Sequence, residues 1–150
     1  LPKAFSHITW YGKGPQETYR DRQAGGRLGR FETTSALSCT PYLIPQECGN
    51  HVETRWVTLT DSSDTGIRVE SAVPFEFSVL PYTCHELEGA RHWFELPKPY
   101  ASVLRILEQQ TGVGGDNSWG AWAHKPYRLS GEETRTFSFS IRMLQNGRTA

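Results

Sequence analysis

The stretch Gly114-Gly115-Asp116-Asn117-Ser118-Trp119-Gly120 sets an indole directly after a turn of small and polar residues. A turn of that kind can hold a flat apolar ring at the rim of a sheet, where a sugar would stack. The alternative is a Trp that closes one end of a β-sandwich. Asp116 also has two readings: a hydrogen bond to a sugar hydroxyl, or a turn residue that accepts from nearby backbone N–H groups, as Asp often does.

Other chemistry-bearing residues point away from catalysis. Glu17, Arg20, Asp21 and Arg22 lie close together in sequence. Arginine forks match carboxylates well, so ion pairs that pin a loop against a neighbouring domain are expected there. Glu47, Asn50 and Arg55 read as a structural polar network. The five histidines, His7, His51, His85, His92 and His124, show neither HxH nor HExxH spacing, so no metal site is expected. Gly112-Val113-Gly114-Gly115 reads as a turn and not as a phosphate loop, and no Ser sits in a GxSxG elbow.

Composition bounds the class. A chain of 150 residues suits one domain, here residues 1–150, with a substantial core. Sixteen basic and sixteen acidic side chains cancel, and no basic run stands out, so nucleic acid is not expected as a partner. No apolar run approaches the roughly 20 residues that span a membrane. Leu1-Pro2-Lys3-Ala4-Phe5-Ser6-His7 lacks a signal-peptide pattern and an initiator Met, which suggests a piece of something longer. Cys39, Cys48 and Cys84 match no zinc or redox spacing. Cys39 and Cys48 flank a short Pro-containing segment and can bridge, but reduced, partly buried thiols are the favoured reading. Their usage leaves bacterial cytoplasm and periplasm both open. Eighteen aromatics, five of them Trp, suit sandwich cores and sugar platforms alike.

The elements that must position these residues are strands. His51 to Asp61 alternates Val52, Thr54, Trp56, Thr58 and Thr60 against Glu53, Arg55, Val57 and Leu59. Residues 61–66 form a hairpin loop, and Ile67 to Ala72 returns with period 2. Pro74 interrupts, and Phe75 to Val79 alternates again. Thr134 to Leu144 puts Phe137, Phe139, Ile141 and Met143 on one face, the pattern of a half-buried strand. Ser102 to Gln110 fits helix or strand; strand is preferred, because strands surround it and Gly112 and Gly114 close it. One or two helical turns fit residues 83–89, with Thr83 as N-cap and Glu86 three residues on. The first 50 residues look loop-rich, with turn chemistry at residues 11–15 and 23–26. The whole predicts an all-β, antiparallel sandwich.

Three motifs then align in order: Trp10-Tyr11-Gly12-Lys13-Gly14-Pro15-Gln16-Glu17-Thr18-Tyr19-Arg20-Asp21-Arg22; Thr40-Pro41-Tyr42-Leu43-Ile44-Pro45-Gln46-Glu47-Cys48-Gly49-Asn50 with Arg55-Trp56; and Glu95-Leu96-Pro97-Lys98 through Gly112 to Gly120. Together they resemble the C-terminal domain of glycoside hydrolase family 2 β-galactosidases of the lacZ type, the small-chain or fifth-domain region. The resemblance implies a super-sandwich related to the galactose mutarotase fold, of which this chain is the second half. It implies hydrolysis of terminal β-galactosides such as lactose, by two glutamates on a barrel domain elsewhere. It places the parent's magnesium and sodium on other domains, leaving this chain with no cofactor, no metal site and no catalytic residue. Trp119 would reach the mouth of the active site and stack on the sugar, mainly on the aglycone side, with Asp116 and Asn117 in the turn that presents it. Leu107 and Glu108 depart from the Asp and aromatic common there, and His51 stands where Arg is common.

The implied role is to complete the rim of a galactoside site beside a catalytic barrel, with no hydrolysis by the isolated piece. The strands missing from the first half would leave a sheet edge or apolar face exposed, so self-association or rearrangement is expected, and a homo-oligomer with it. Two rivals stand beside this: a free-standing carbohydrate-binding module, and a purely architectural interaction domain.

Overall fold

The computed structural model describes residues 1–117 and 119–149. Ser118, within the Trp turn, lies outside the described residues. Among the described residues, seven strands join one antiparallel sheet: β1 His7–Gly14, β2 Arg27–Thr34, β3 His51–Thr60, β4 Gly66–Leu80, β5 Val103–Leu107, β6 Ser140–Gln145 and β7 Arg148–Thr149. Their order is β2-β1-β3-β4-β6-β7, and β5 pairs with the far half of β4. The sheet thus forks at β4, whose first half carries β6 and whose second half carries β5. The all-β antiparallel expectation holds, in a sandwich-like domain with almost no helix. Among the described residues, no helix is long and apolar enough to cross a membrane.

The period-2 rule makes the core, but β3 breaks it once. Val52 and Thr54 are buried, and then Val57 and Leu59, so the buried parity switches midway. Register shifts flank Thr54, and Glu53 adopts φ 56°. A β-bulge moves every later side chain to the other face. Trp56, grouped with Val52 and Thr54 by alternation, therefore turns away from the core and lies under the Arg68 guanidinium, 4.5 Å from its ring centre.

The same irregularity accommodates Pro74. β4 runs unbroken through it, because residues 71–74 have no ladder partner on β3: Trp56 pairs Glu70 and Thr54 pairs Phe75. A proline costs no sheet hydrogen bond where none is made. The expected interruption is therefore an unpaired stretch within one strand.

Ile8, Trp10, Val57, Leu59, Ile67, Val69, Phe75, Phe77 and Val79 gather into one core, flanked by Phe5, Phe31, Leu104, Ile106 and Phe137. In the second half of β4 both faces are buried: Phe75, Phe77 and Val79 join this core, while Glu76 and Ser78 point to the opposite, polar side. That polar side faces the candidate site.

β1 and β2 were not legible as strands. Residues 11–14 belong to β1, and its glycines pair across to β2 at Gly12–Gly29 and Gly14–Arg27. Gly12 and Gly14 are buried against Thr54, Trp10 and Phe31, where a side chain would clash, so glycine here marks close packing and not a turn. The turn at residues 23–26 is present, closed by the Gly26 N–H donating to the Gln23 carbonyl at 3.0 Å. Helix α1, Cys84–Gly89, starts at Thr83 with both arms of the capping box in place.

The C-terminal strand departs most from expectation. Residues 134–139 are not strand, and β6 begins at Ser140. Phe137 packs on the core, but Ile141 and Met143 are 57% and 54% exposed. They pair with Val69 and Ile67, so the core-facing side of the sheet continues onto β6, where its cover stops.

Candidate functional site

The start of the Trp turn, Val113 and Gly114, lines a cleft with Ser78 from the polar side of the sheet. Trp119 is 92% exposed. Its backbone N–H donates to the Asn117 Oδ1 at 2.8 Å, an Asx contact that ties Trp119 to Asn117. Gly120 follows at φ +96°, a left-handed conformation that a side chain would strain. Asp116 Oδ1 lies 2.7 Å from His124 Nε2, so its carboxylate meets an imidazole. Asn117 accepts a backbone N–H within the same turn. Trp122 is exposed nearby, with the Arg128 guanidinium 5.4 Å from its ring centre.

The base of the turn is held from two sides. Asp21 accepts the Val113 N–H at 3.1 Å and the Gly114 N–H at 2.8 Å. On the other side the Gly112 N–H donates to the Tyr127 carbonyl at 2.7 Å, and the Leu129 N–H to Thr111 Oγ1 at 3.3 Å. A Cβ on Gly112 would meet Asp21 Oδ2 at 2.5 Å, and one on Gly115 the Ala121 carbonyl at 2.1 Å. Those glycines are spacing requirements, since only the bare backbone fits.

Asp21 in turn stands on a buried hub. Tyr19 and Arg22 exchange backbone hydrogen bonds at 3.0 and 2.9 Å and so close the turn that carries it. Both reach Glu17: Tyr19 Oη donates at 3.1 Å and Arg22 Nη1 at 2.8 Å. Tyr42 Oη and the Gly49 N–H donate to the same carboxylate, the latter at 2.8 Å. Burial pushes the Glu17 carboxyl up, but the hydrogen bonds from Tyr42, Gly49, Thr40 and Tyr19 outweigh it and hold it below the usual range. Burial first, and then the Glu17 charge, push the Tyr19 phenol well above its ordinary value.

A cleft of about 580 Å³ opens beside this hub, lined by Tyr19, Arg22, Asn50, Ser78, Arg105 and Gly114 among others. Asn50 Nδ2 donates to the Thr18 carbonyl at 3.0 Å and to Glu76 at 2.9 Å. Burial raises the Glu76 carboxyl against the opposing bonds from Asn50 and the Gln110 backbone.

The expected ion-pair cluster is thus only partly ionic. Arg22 pairs with Glu17, whereas Asp21 binds backbone and Arg20 reaches the Pro126 carbonyl at 3.5 Å. Glu47, Asn50 and Arg55 do not form one network: they pair separately with Arg105, Glu76 and Glu53. The bulge at Glu53 turns Arg55 away from the other two. His51 is buried between Trp10 and Phe77, with ring centres 4.3 and 5.2 Å away. Burial lowers its pKa to about 4 despite a contact with the Lys13 carbonyl at 3.2 Å. The three thiols are free; Cys39 and Cys48 face each other at 3.8 Å, while Cys84 is exposed. Among the described residues, no three His, Cys, Asp or Glu side chains converge as metal ligands.

Chemically this arrangement presents and rigidifies. Glu17 is surrounded by hydrogen-bond donors, and the indole is offered to solvent on a braced turn. Sequence reasoning missed the Asp21 clamp and the His124 contact. Nothing in the eight-residue spacing of Asp116 and His124 signals a pair.

The family model described as beta galactosidase small chain matches residues 1–143. A "Beta-galactosidase BgaC" of Bifidobacterium adolescentis is 43% identical over 147 residues, covering 96% of this chain and 14% of that relative. A "Beta-galactosidase" of Priestia megaterium is 39% identical, with 94% and 14% covered. A "Beta-galactosidase small subunit" of Latilactobacillus sakei is 44% identical over 136 residues, covering 83% of this chain and 42% of that subunit. The chain thus spans about one-seventh of the long relatives and less than half of the small subunit.

Proposed function

This chain belongs to the β-galactosidase small-chain family, and we propose that it is the C-terminal part of a β-galactosidase that hydrolyses terminal β-galactosides such as lactose. The parent is of the glycoside hydrolase family 2, lacZ type. Residues 1–150 act as one sandwich domain that completes the rim of the active site and supports assembly. Bond cleavage uses two glutamates from a catalytic barrel elsewhere, in a retaining mechanism that needs carboxyls roughly 5 Å apart.

The observation that carries the proposal is the exposed indole of Trp119 on a turn braced at both ends. A flat apolar face stacks on the C–H face of a sugar, and a fixed ring loses little freedom on doing so. Asn117 shapes the turn, and Asp116, oriented by His124, lies within the same loop to meet a hydroxyl. Any magnesium or sodium of the parent belongs to its other domains.

Separate expression tests the division of labour. The catalytic portion is assayed on lactose with and without this chain, and this chain is assayed alone. The proposal expects turnover only where the catalytic portion is present, raised when this chain is added. Turnover by this chain alone, or full activity of the catalytic portion without it, overturns the proposal.

A further inference from the structure

We propose that Asp21 is a positioning residue whose carboxylate clamps the Val113 and Gly114 N–H groups and so sets the turn that presents Trp119. The kinetic part of this inference rests on the stacking role proposed above.

Three observations converge. First, both carboxylate oxygens are used, one on each of two successive N–H groups, across 92 and 93 residues of chain. Bonds from neutral donors to a carboxylate are stronger than neutral pairs, and a two-point contact fixes orientation as well as distance. Second, among the described residues no Lys, Arg or His forms an ion pair with Asp21, so its charge is directed at the turn. Third, the clamp has a fixed base and leaves room only for bare backbone. Tyr19 and Arg22 close the turn beneath Asp21 and are themselves held by Glu17, and Gly112 brings the loop within contact of Oδ2. The path from the buried hub to the indole is therefore Glu17, Tyr19 and Arg22, Asp21, Val113 and Gly114, and then the Asn117 turn.

A residue that acts through Trp119 makes a prediction that a general structural role does not. Its kinetic effect must vanish once Trp119 is gone. The test uses the full-length enzyme bearing this chain, with lactose as substrate. The variants are Asp21→Ala, Asp21→Asn, Trp119→Ala and the double Asp21→Ala/Trp119→Ala, alongside amide hydrogen exchange of the peptide covering residues 111–116. Asp21→Asn keeps one acceptor oxygen and guards against loss of fold. The clamp predicts that Val113 and Gly114 exchange at least about tenfold faster in Asp21→Ala, with a smaller change in Asp21→Asn. It also predicts that kcat/KM falls in Asp21→Ala but that the double variant is no worse than Trp119→Ala. Unchanged exchange overturns the clamp, and losses that multiply in the double variant overturn its action through Trp119. If Trp119→Ala itself leaves lactose kinetics unchanged, the stacking role fails, and exchange at Val113 and Gly114 still decides the clamp.

Discussion

Glu17 accepts the Gly49 N–H at 2.8 Å across 32 residues, tying the loop after β1 to the segment that enters β3. The same carboxylate receives Tyr19, Tyr42 and Arg22, so one buried acid organises the floor beneath the Trp turn. Replacing it with an amide puts a donor where several donors already point. Glu17→Gln is expected to cost about 2 kcal/mol, the scale for disrupting a buried, charge-assisted acceptor. Denaturant unfolding checks this as a lower midpoint at unchanged slope.

The same carboxyl and His51 make stability fall in acid. His51 is buried neutral with its pKa lowered to about 4, against an unfolded value of about 6.5. The unfolded chain therefore binds more protons between those values, and stability rises with pH across that window. The His51 contribution, ~3 kcal/mol, is fully present above about pH 6.5 and is lost as pH falls toward 4. Glu17, held low, adds a loss at still lower pH as it protonates. Glu76, pushed up by burial, works in the opposite direction just above the usual carboxylate range. His51→Phe isolates the histidine. The Lys13 carbonyl keeps its bond from Trp10 Nε1 at 3.1 Å, so the variant is expected to fold and to lose most of the slope between pH 6.5 and 4. Chemical unfolding at stepped pH reads this directly; an unchanged slope in His51→Phe would rule it out.

Glycine spacing in the Trp turn gives a second stability test. A Cβ at Gly115 falls 2.1 Å from the Ala121 carbonyl, which is backbone and yields little. Gly115→Ala is expected to lower stability by about 1–3 kcal/mol and to displace the turn. Gly131→Ala, with nothing within 4 Å, is the matched control and is expected to be neutral. Thermal melts of the pair settle the comparison.

Much of the architecture was legible because periodicity is local. β3, β5, the capping box at Thr83 and the hairpin at residues 61–66 all rest on patterns within a few residues. What escaped depended on partners far along the chain. β1 and β2 carry glycines whose role is close approach across strands, so they read as turns. Trp56 changed face because of a bulge that alternation cannot announce. In the candidate site, Trp119 and Asn117 were visible in their own turn, whereas Asp21 acts on backbone 92 and 93 residues away. A carboxylate that binds N–H groups leaves no trace in residue type at its target.

The open face of β6 predicts association. Ile141 and Met143 extend the core-facing side of the sheet, with Phe139 and Val73 also exposed. Exposed apolar patches on sheet edges drive contact between chains. The isolated chain is expected to self-associate, and Ile141→Lys with Met143→Lys to render it monomeric at equal helix and strand content. Sedimentation velocity distinguishes the two; a monomeric wild type would contradict the prediction.

The most direct test of the whole account is lactose turnover by the full-length enzyme carrying Trp119→Ala. A lost stacking contact is worth ~1 kcal/mol, about fivefold in kcat/KM. The account predicts a loss of that size or larger, with the fold and the catalytic glutamates untouched. Kinetic constants indistinguishable from those of the wild type would contradict it and leave this chain a purely architectural part of the enzyme.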